Sequence, residues 1–182
     1  MNIKLNQKLP VTINPKIIEP MEQIGRASLV LIFLLLSCIS VTRGSDLYVG
    51  TAEADITPDL PVALDGQMYL RIAQTAKTPL TASVIVLESR RESQSIESVV
   101  FVSCELVSIP LELLERVRNS VRQHLPELDV SKIVMNAIHT HTGPVIRLGL
   151  YPIPEEGVTQ VEDYYSSFAK RVTEAIVKAW KA

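Results

Sequence analysis

From Leu47 onward, apolar and polar residues fall into a few segments, and each pattern predicts an element. Leu47–Thr57 (LYVGTAEADIT) opens with strand-forming residues and closes at Pro58, which cannot donate to a ladder. Residues 58–80 hold three prolines and Gly66 and predict irregular chain. Thr81–Ser89 and Glu97–Leu106 read as two strands, the second with a continuous apolar run. The polar turn Arg90–Ser95 between them predicts an antiparallel hairpin. Leu114, Val117, Val121 and Leu125 then recur at spacings of three and four, which places them on one helix face. Pro110 suits the first turn of that helix, where its missing N–H costs nothing, and Pro126 ends it. Asp129–Ile138 (DVSKIVMNAI) reads as another strand running directly into His139. Strand, helix, strand in that order predicts a parallel pair joined by a right-handed crossover. The Gly143–Gly157 loop, with three prolines, is expected exposed at that strand's carboxyl end. A last helix runs from about Gln160 to Ala182, with Val161, Tyr165, Phe168, Val172, Ile176 and Ala179 as its apolar stripe. The fold class is α/β: a mixed β-sheet flanked by helices.

The start of the chain follows a different pattern. Ala27–Val41 (ASLVLIFLLLSCISV) is shorter than the roughly 20 apolar residues a bilayer span needs. Arg26 precedes the run and Ser40, Thr42 and Gly44 follow it, with Thr42 and Gly44 suited to a cleavage site before Ser45. Residues 1–44 therefore read as a signal peptide with an N-terminal extension. Met21 is the better start, because Pro10, Pro15 and Pro20 interrupt what precedes it. Export to a secreted or periplasmic location is the expectation. An uncleaved anchor, or a lipoprotein modified at Cys38, is the alternative. Residues 45–182 form the folded part.

Composition narrows the function. The 182 residues are 47% hydrophobic and 21% charged, with a formal net charge of -2, which suits a globular chain rather than a disordered one. Beyond residue 44 there remain 13 basic and 18 acidic residues, so no basic excess exists to displace counterions from nucleic acid. Cys104 is the one cysteine in that part. It excludes a disulfide scaffold and a cysteine-based zinc module, and in VVFVSCEL it reads as a buried small residue.

The candidate chemistry sits at His139 and His141, in Ala137-Ile138-His139-Thr140-His141-Thr142-Gly143-Pro144. On a strand, residues i and i+2 share a face. Two imidazoles so placed can reach one metal, or one can bind while the other donates a proton; equally, they can be two partly exposed loop histidines. Zinc takes nitrogen donors of this kind and about four ligands. Thr140 and Thr142 are candidates to orient the rings. Glu105, at the end of the neighbouring strand, reads either as a partner to a site residue or as a solvated strand end. His124 reads as a favourable charge at a helix carboxyl end. No GxSxG elbow, P-loop, GxGxxG or HxHxDH pattern occurs.

Three ordered segments resemble the N-terminal catalytic region of the neutral/alkaline, non-lysosomal ceramidases. Val49–Pro58 (VGTAEADITP) is similar to the family's opening VGxGxADITGP, Val99–Leu106 (VVFVSCEL) to its VVFVSxDL strand, and Ala137–Pro144 (AIHTHTGP) to its ATHTHSGP element. The closing AIVKAWKA is similar to the helix that follows. The resemblance implies zinc-dependent cleavage of the amide of ceramide, or of a related lipid amide, at a membrane surface. It implies that His139 is a zinc ligand and that His141 is a catalytic residue that binds substrate or assists proton transfer. It also implies that residues 45–182 are an N-terminal portion of a larger catalytic domain, since the family's further ligands (a His, a Glu and a Tyr) lie downstream of this motif. Glu105, Thr142 and Ile138 depart from the usual Asp, Ser and Thr. Val145-Ile146-Arg147 replaces the family's glycine-rich run, so the loop lining the substrate entrance differs. A non-catalytic domain that keeps the fold, and a metallohydrolase of a different ester or amide, are the alternative readings.

Overall fold

The computed structural model describes residues 44–182; the signal-peptide reading of residues 1–44, with Met21 and Cys38, otherwise lies outside them. Four strands form the main sheet: β1 (Asp46–Asp55), β4 (Thr81–Arg91), β5 (Gln94–Cys104) and β6 (Ile133–Ala137), in the order β1-β4-β5-β6. β2 (Val62–Leu64) and β3 (Arg71–Ala73) form a separate two-stranded sheet. Two helices complete the set, α1 (Leu111–His124) and α2 (Val161–Lys181). The predicted α/β class and mixed sheet are what the structure has. β1 pairs antiparallel with β4, β4 antiparallel with β5, and β5 parallel with β6, with α1 on the connection between the last two. None of the described helices is long and apolar enough to cross a membrane.

Period-two alternation decides which sheet face is covered. Ala82, Val84 and Val86 of β4, Val100, Val102 and Cys104 of β5, and Ile133 of β6 are buried on one side. They join Leu113, Val117 and Val121 of α1 and Phe168, Val172 and Ile176 of α2 in one core cluster. The opposite face carries Ile85, Phe101 and Val134, which are neighbours across the strands and all exposed. Gly50 lets α2 approach β1: a Cβ there would meet the backbone of Ala179, whose carbonyl carbon stands 2.9 Å away.

Several boundaries differ from the sequence pattern, each for a local reason. The hairpin turn is tighter than Arg90–Ser95: β4 and β5 pair to Arg91 and Gln94, and Glu92 and Ser93 both take positive φ, 51° and 71°. Positive φ at both turn residues matches the strand twist. Residues 129–132 are not strand. Asp129 accepts from the Ser131 amide at 3.0 Å and caps a single 3-10 turn, Val130–Lys132, so β6 begins at Ile133. The buried stripe of α1 starts at Leu113, with Leu114 half-buried beside it. Residues 58–80, expected to be irregular, contain β2 and β3, too short to show a period.

Candidate functional site: a histidine pair on a pinned loop

β6 ends at Ala137, and the following loop is tied to the end of β5 rather than left free. The amide of Ile138 donates to the Cys104 carbonyl at 3.0 Å, and that of Thr140 to the Leu106 carbonyl at 3.1 Å. Between them His139 turns the chain at φ 63°. A non-glycine residue in the left-handed region costs roughly 1–3 kcal/mol and persists only where its surroundings hold it. Three hydrogen bonds hold it here. The flanking amides are bonded, and the ring Nδ1–H of His139 donates to the Val107 carbonyl at 2.7 Å.

The two imidazoles meet. His139 and His141 present Nε2 to Nε2 at 3.3 Å, with ring centroids 5.0 Å apart and planes at 71°. The predicted meeting of the rings is present, but its cause differs. It comes from a kinked loop, not from two positions on one strand face. Because a carbonyl only accepts, Val107 fixes the proton of His139 on Nδ1 and leaves Nε2 with its lone pair toward His141. Among the described residues the only hydrogen-bond distance from the His141 ring is to His139. The pair can therefore share a proton across a long N–H···N contact, or offer nitrogens to one ion. Imidazole nitrogens are the kind of donor zinc takes, and this pair is two of the about four it needs. No group of three or more His, Cys, Asp or Glu that could hold a metal ion occurs among the described residues.

The His141 side of the pair is packed by the β2–β3 hairpin. Gly66 lies at φ 90° against the His141 ring; a Cβ there would stand 2.7 Å from His141 Cβ and 2.8 Å from Cδ2. Arg71 donates to the His141 carbonyl at 2.7 Å. The Asp65 amide donates to the Gly143 carbonyl at 3.0 Å, and the Val145 amide to that of Ala63 at 2.8 Å. Asp65 itself is fully buried and pairs with Arg147 at 3.1 Å. Arg147 belongs to the Val145-Ile146-Arg147 run that marks the departure in sequence. The loop is not simply exposed, as its prolines suggested: Gly143 to Ile146 are buried, and Tyr165 of α2 donates to the Ile146 carbonyl at 2.5 Å.

Other candidates fall elsewhere. Glu105 turns its carboxylate to the Thr81 amide at 2.7 Å, tying β4 to the end of β5. The hydroxyls of Thr140 and Thr142 bond each other at 2.9 Å instead of orienting a ring; the Val107 carbonyl has that role, which no side-chain pattern could reveal. His124 holds the Ser120 carbonyl in the last turn of α1 at 2.8 Å. Cys104 is buried, and burial pushes its thiol up to about 12, far from a nucleophile. Asp65, Arg71 and Arg147 carried no motif and were not legible as site residues.

Beside the site runs an apolar groove of about 330 Å³. Leu60, Val62, Leu64 and Leu80 line it, and Thr142 and Pro144 bring it to the histidine loop. Thr142 also borders a second cleft with Glu105, Ile138 and Thr140.

No protein-family model matches the chain, and no curated protein matches it either. Solved structures do. The neutral ceramidase from Pseudomonas aeruginosa superposes with a TM-score of 0.64 at 19% identity, over 76% of this chain and 22% of that one. A ceramidase complexed with C2 gives 0.63 at 20% identity, over 75% of this chain and 21% of that one. The likeness shows a shared fold. This chain spans about a fifth of the length of either ceramidase.

Proposed function

We propose that this chain is the histidine-bearing part of a zinc-dependent amidohydrolase that acts on ceramide or a related lipid amide. The observation that carries the reading is the 3.3 Å separation of the His139 and His141 Nε2 atoms, with the His139 tautomer fixed by Val107. His139 is the metal ligand, since a carbonyl behind the other ring nitrogen is the usual support of a ligating imidazole. His141, whose ring has its one hydrogen-bond partner among the described residues in His139, carries the proton to the leaving amine. Bound zinc would polarise the amide carbonyl and lower the pKa of bound water to about 7. The groove from Thr142 along Leu64, Val62 and Leu60 supports an acyl chain as the adjacent part of the substrate. Its apolar lining favours burial of methylenes at about 0.8 kcal/mol each. The apolar run Ala27–Val41 supports an exported enzyme that meets its substrate at a membrane surface. Zinc takes about four ligands, and the histidine pair supplies two nitrogens of that set.

The absence of a three-ligand cluster among the described residues favours a second reading, a ceramidase-like domain without catalysis. Zinc content of the Ser45–Ala182 segment, measured beside a His139→Ala variant, separates the two. One zinc per chain that the variant loses supports the metal reading, and hydrolysis of fluorescent ceramide then tests the substrate. No zinc in either protein supports the second reading.

A further inference from the structure

We infer that Asp65 is a positioning residue for the histidine pair, acting through Gly66, Arg71 and Arg147; the inference rests on the proposed assignment of that pair as the site. Asp65 shows 0% exposure, yet it is a carboxylate. Its Oδ1 accepts from the Gly66 amide at 2.6 Å and from Arg147 at 3.1 Å, and Oδ2 stands 3.4 Å from the same guanidinium. The Tyr151 hydroxyl, whose proton goes to the Gln67 carbonyl at 2.5 Å, lies 3.4 Å from Oδ1. The backbone of Asp65 is engaged as well. Its N–H holds the Gly143 carbonyl at 3.0 Å, and its carbonyl accepts from Arg71 at 3.3 Å, the same guanidinium that holds the His141 carbonyl at 2.7 Å.

Every polar group of this one residue thus ends on the loop from His141 to Tyr151 or on a group that holds it. A buried ion pair is weak evidence for stability, because desolvation offsets its attraction, while a fixed geometry is a better-attested use. Here the geometry fixed is that of His141. The Asp65 carboxylate sets the Gly66 backbone against which the ring packs, and through Arg147 it closes the loop from the far side. His139, by contrast, is held through Val107 from the chain that follows β5. The two rings are supported from separate elements, so loosening the Asp65 support moves one ring relative to the other.

Nuclear Overhauser contacts between the two imidazole rings in the zinc-free full chain test this directly. The expected result is a ring-to-ring contact in the parent that disappears in Asp65→Asn and in Arg147→Gln, with amide dispersion and helical circular dichroism unchanged. Arg116→Ala, which removes the surface pairs with Glu112 and Glu162, keeps the contact. If Asp65→Asn fails to fold, Arg147→Gln decides, since that side chain is half exposed. An unchanged ring contact in the folded variants, or no contact in the parent, overturns the inference. A parallel zinc titration separates it from the metal reading. Loss of ring contact with a fall in zinc affinity of about 10–100-fold supports both. Loss of contact in a chain that never bound zinc keeps the positioning role and sinks the metal.

Discussion

The Nδ1–H of His139 donates to the carbonyl of Val107 at 2.7 Å across 32 residues of sequence. That single bond joins the chain that follows β5 to the loop after β6 and selects the tautomer of the ring. It turns the other nitrogen into an acceptor aimed at His141. If the proposed zinc reading holds, zinc should bind the native state, where the pair is assembled, more tightly than the unfolded chain. At a zinc concentration a hundred times the dissociation constant, the native state gains about 2.7 kcal/mol. Thermal melting with and without a chelator should show that gain in the parent and its loss in His139→Ala.

Gly66→Ala should be among the most damaging small substitutions near the site. The φ of 90° disfavours any side chain, and the new methyl would meet the His141 ring. A destabilisation of about 2–4 kcal/mol is expected by equilibrium denaturation. A variant that melts with the parent would show that His141 repacks at no cost.

Gly50→Ala tests the closeness of α2 to β1 in the same way. The obstacle here is the Ala179 backbone, which cannot rotate aside as a side chain can. Overpacking of this kind costs on the order of 3 kcal/mol. Urea denaturation should show an earlier midpoint while the slope stays that of the parent.

Acid sensitivity should reside partly in Glu88. The Arg90 guanidinium at 2.5 Å holds its carboxyl below the usual range. A lowered folded-state value contributes stability above the unfolded value of about 4.3 and loses it as pH falls through the folded one. In Glu88→Gln the stability lost between neutral and acid pH should be smaller than in the parent. An identical acid limb for the two proteins would show that the pair contributes nothing.

Cys104 should resist alkylation in the native protein. Its thiol is buried and pushed up to about 12, so almost no thiolate exists at pH 8. Iodoacetamide followed by peptide mass analysis should find Cys104 unmodified until denaturant is added.

The strands at Thr81 and Glu97, both helices and the His-Thr-His motif were legible because their residues repeat with a period or a spacing that one segment contains. The alternation in β4 and β5 survives in the burial of Val84, Val86, Val100 and Val102. The α2 stripe survives at Tyr165, Phe168, Val172 and Ile176. The β2–β3 hairpin was not legible. Three-residue strands show no period, and their pairing depends on residues outside the hairpin, such as the bridge between Leu64 and Pro144.

The sequence by itself determined the types of the longer elements, the mixed sheet with its parallel β5–β6 pair, and the identity of the two histidines, because local periodicity and connection length carry that information. Only the tertiary structure decided how those histidines meet. The positive φ at His139, the carbonyl that sets its tautomer, and the buried Asp65 behind His141 all depend on backbone groups and on segments far apart in the chain. A carbonyl is the same in every residue, and a lone Asp in an irregular stretch carries no pattern. Their roles exist only once packing has brought the β2–β3 hairpin, the end of β5 and the histidine loop to one place.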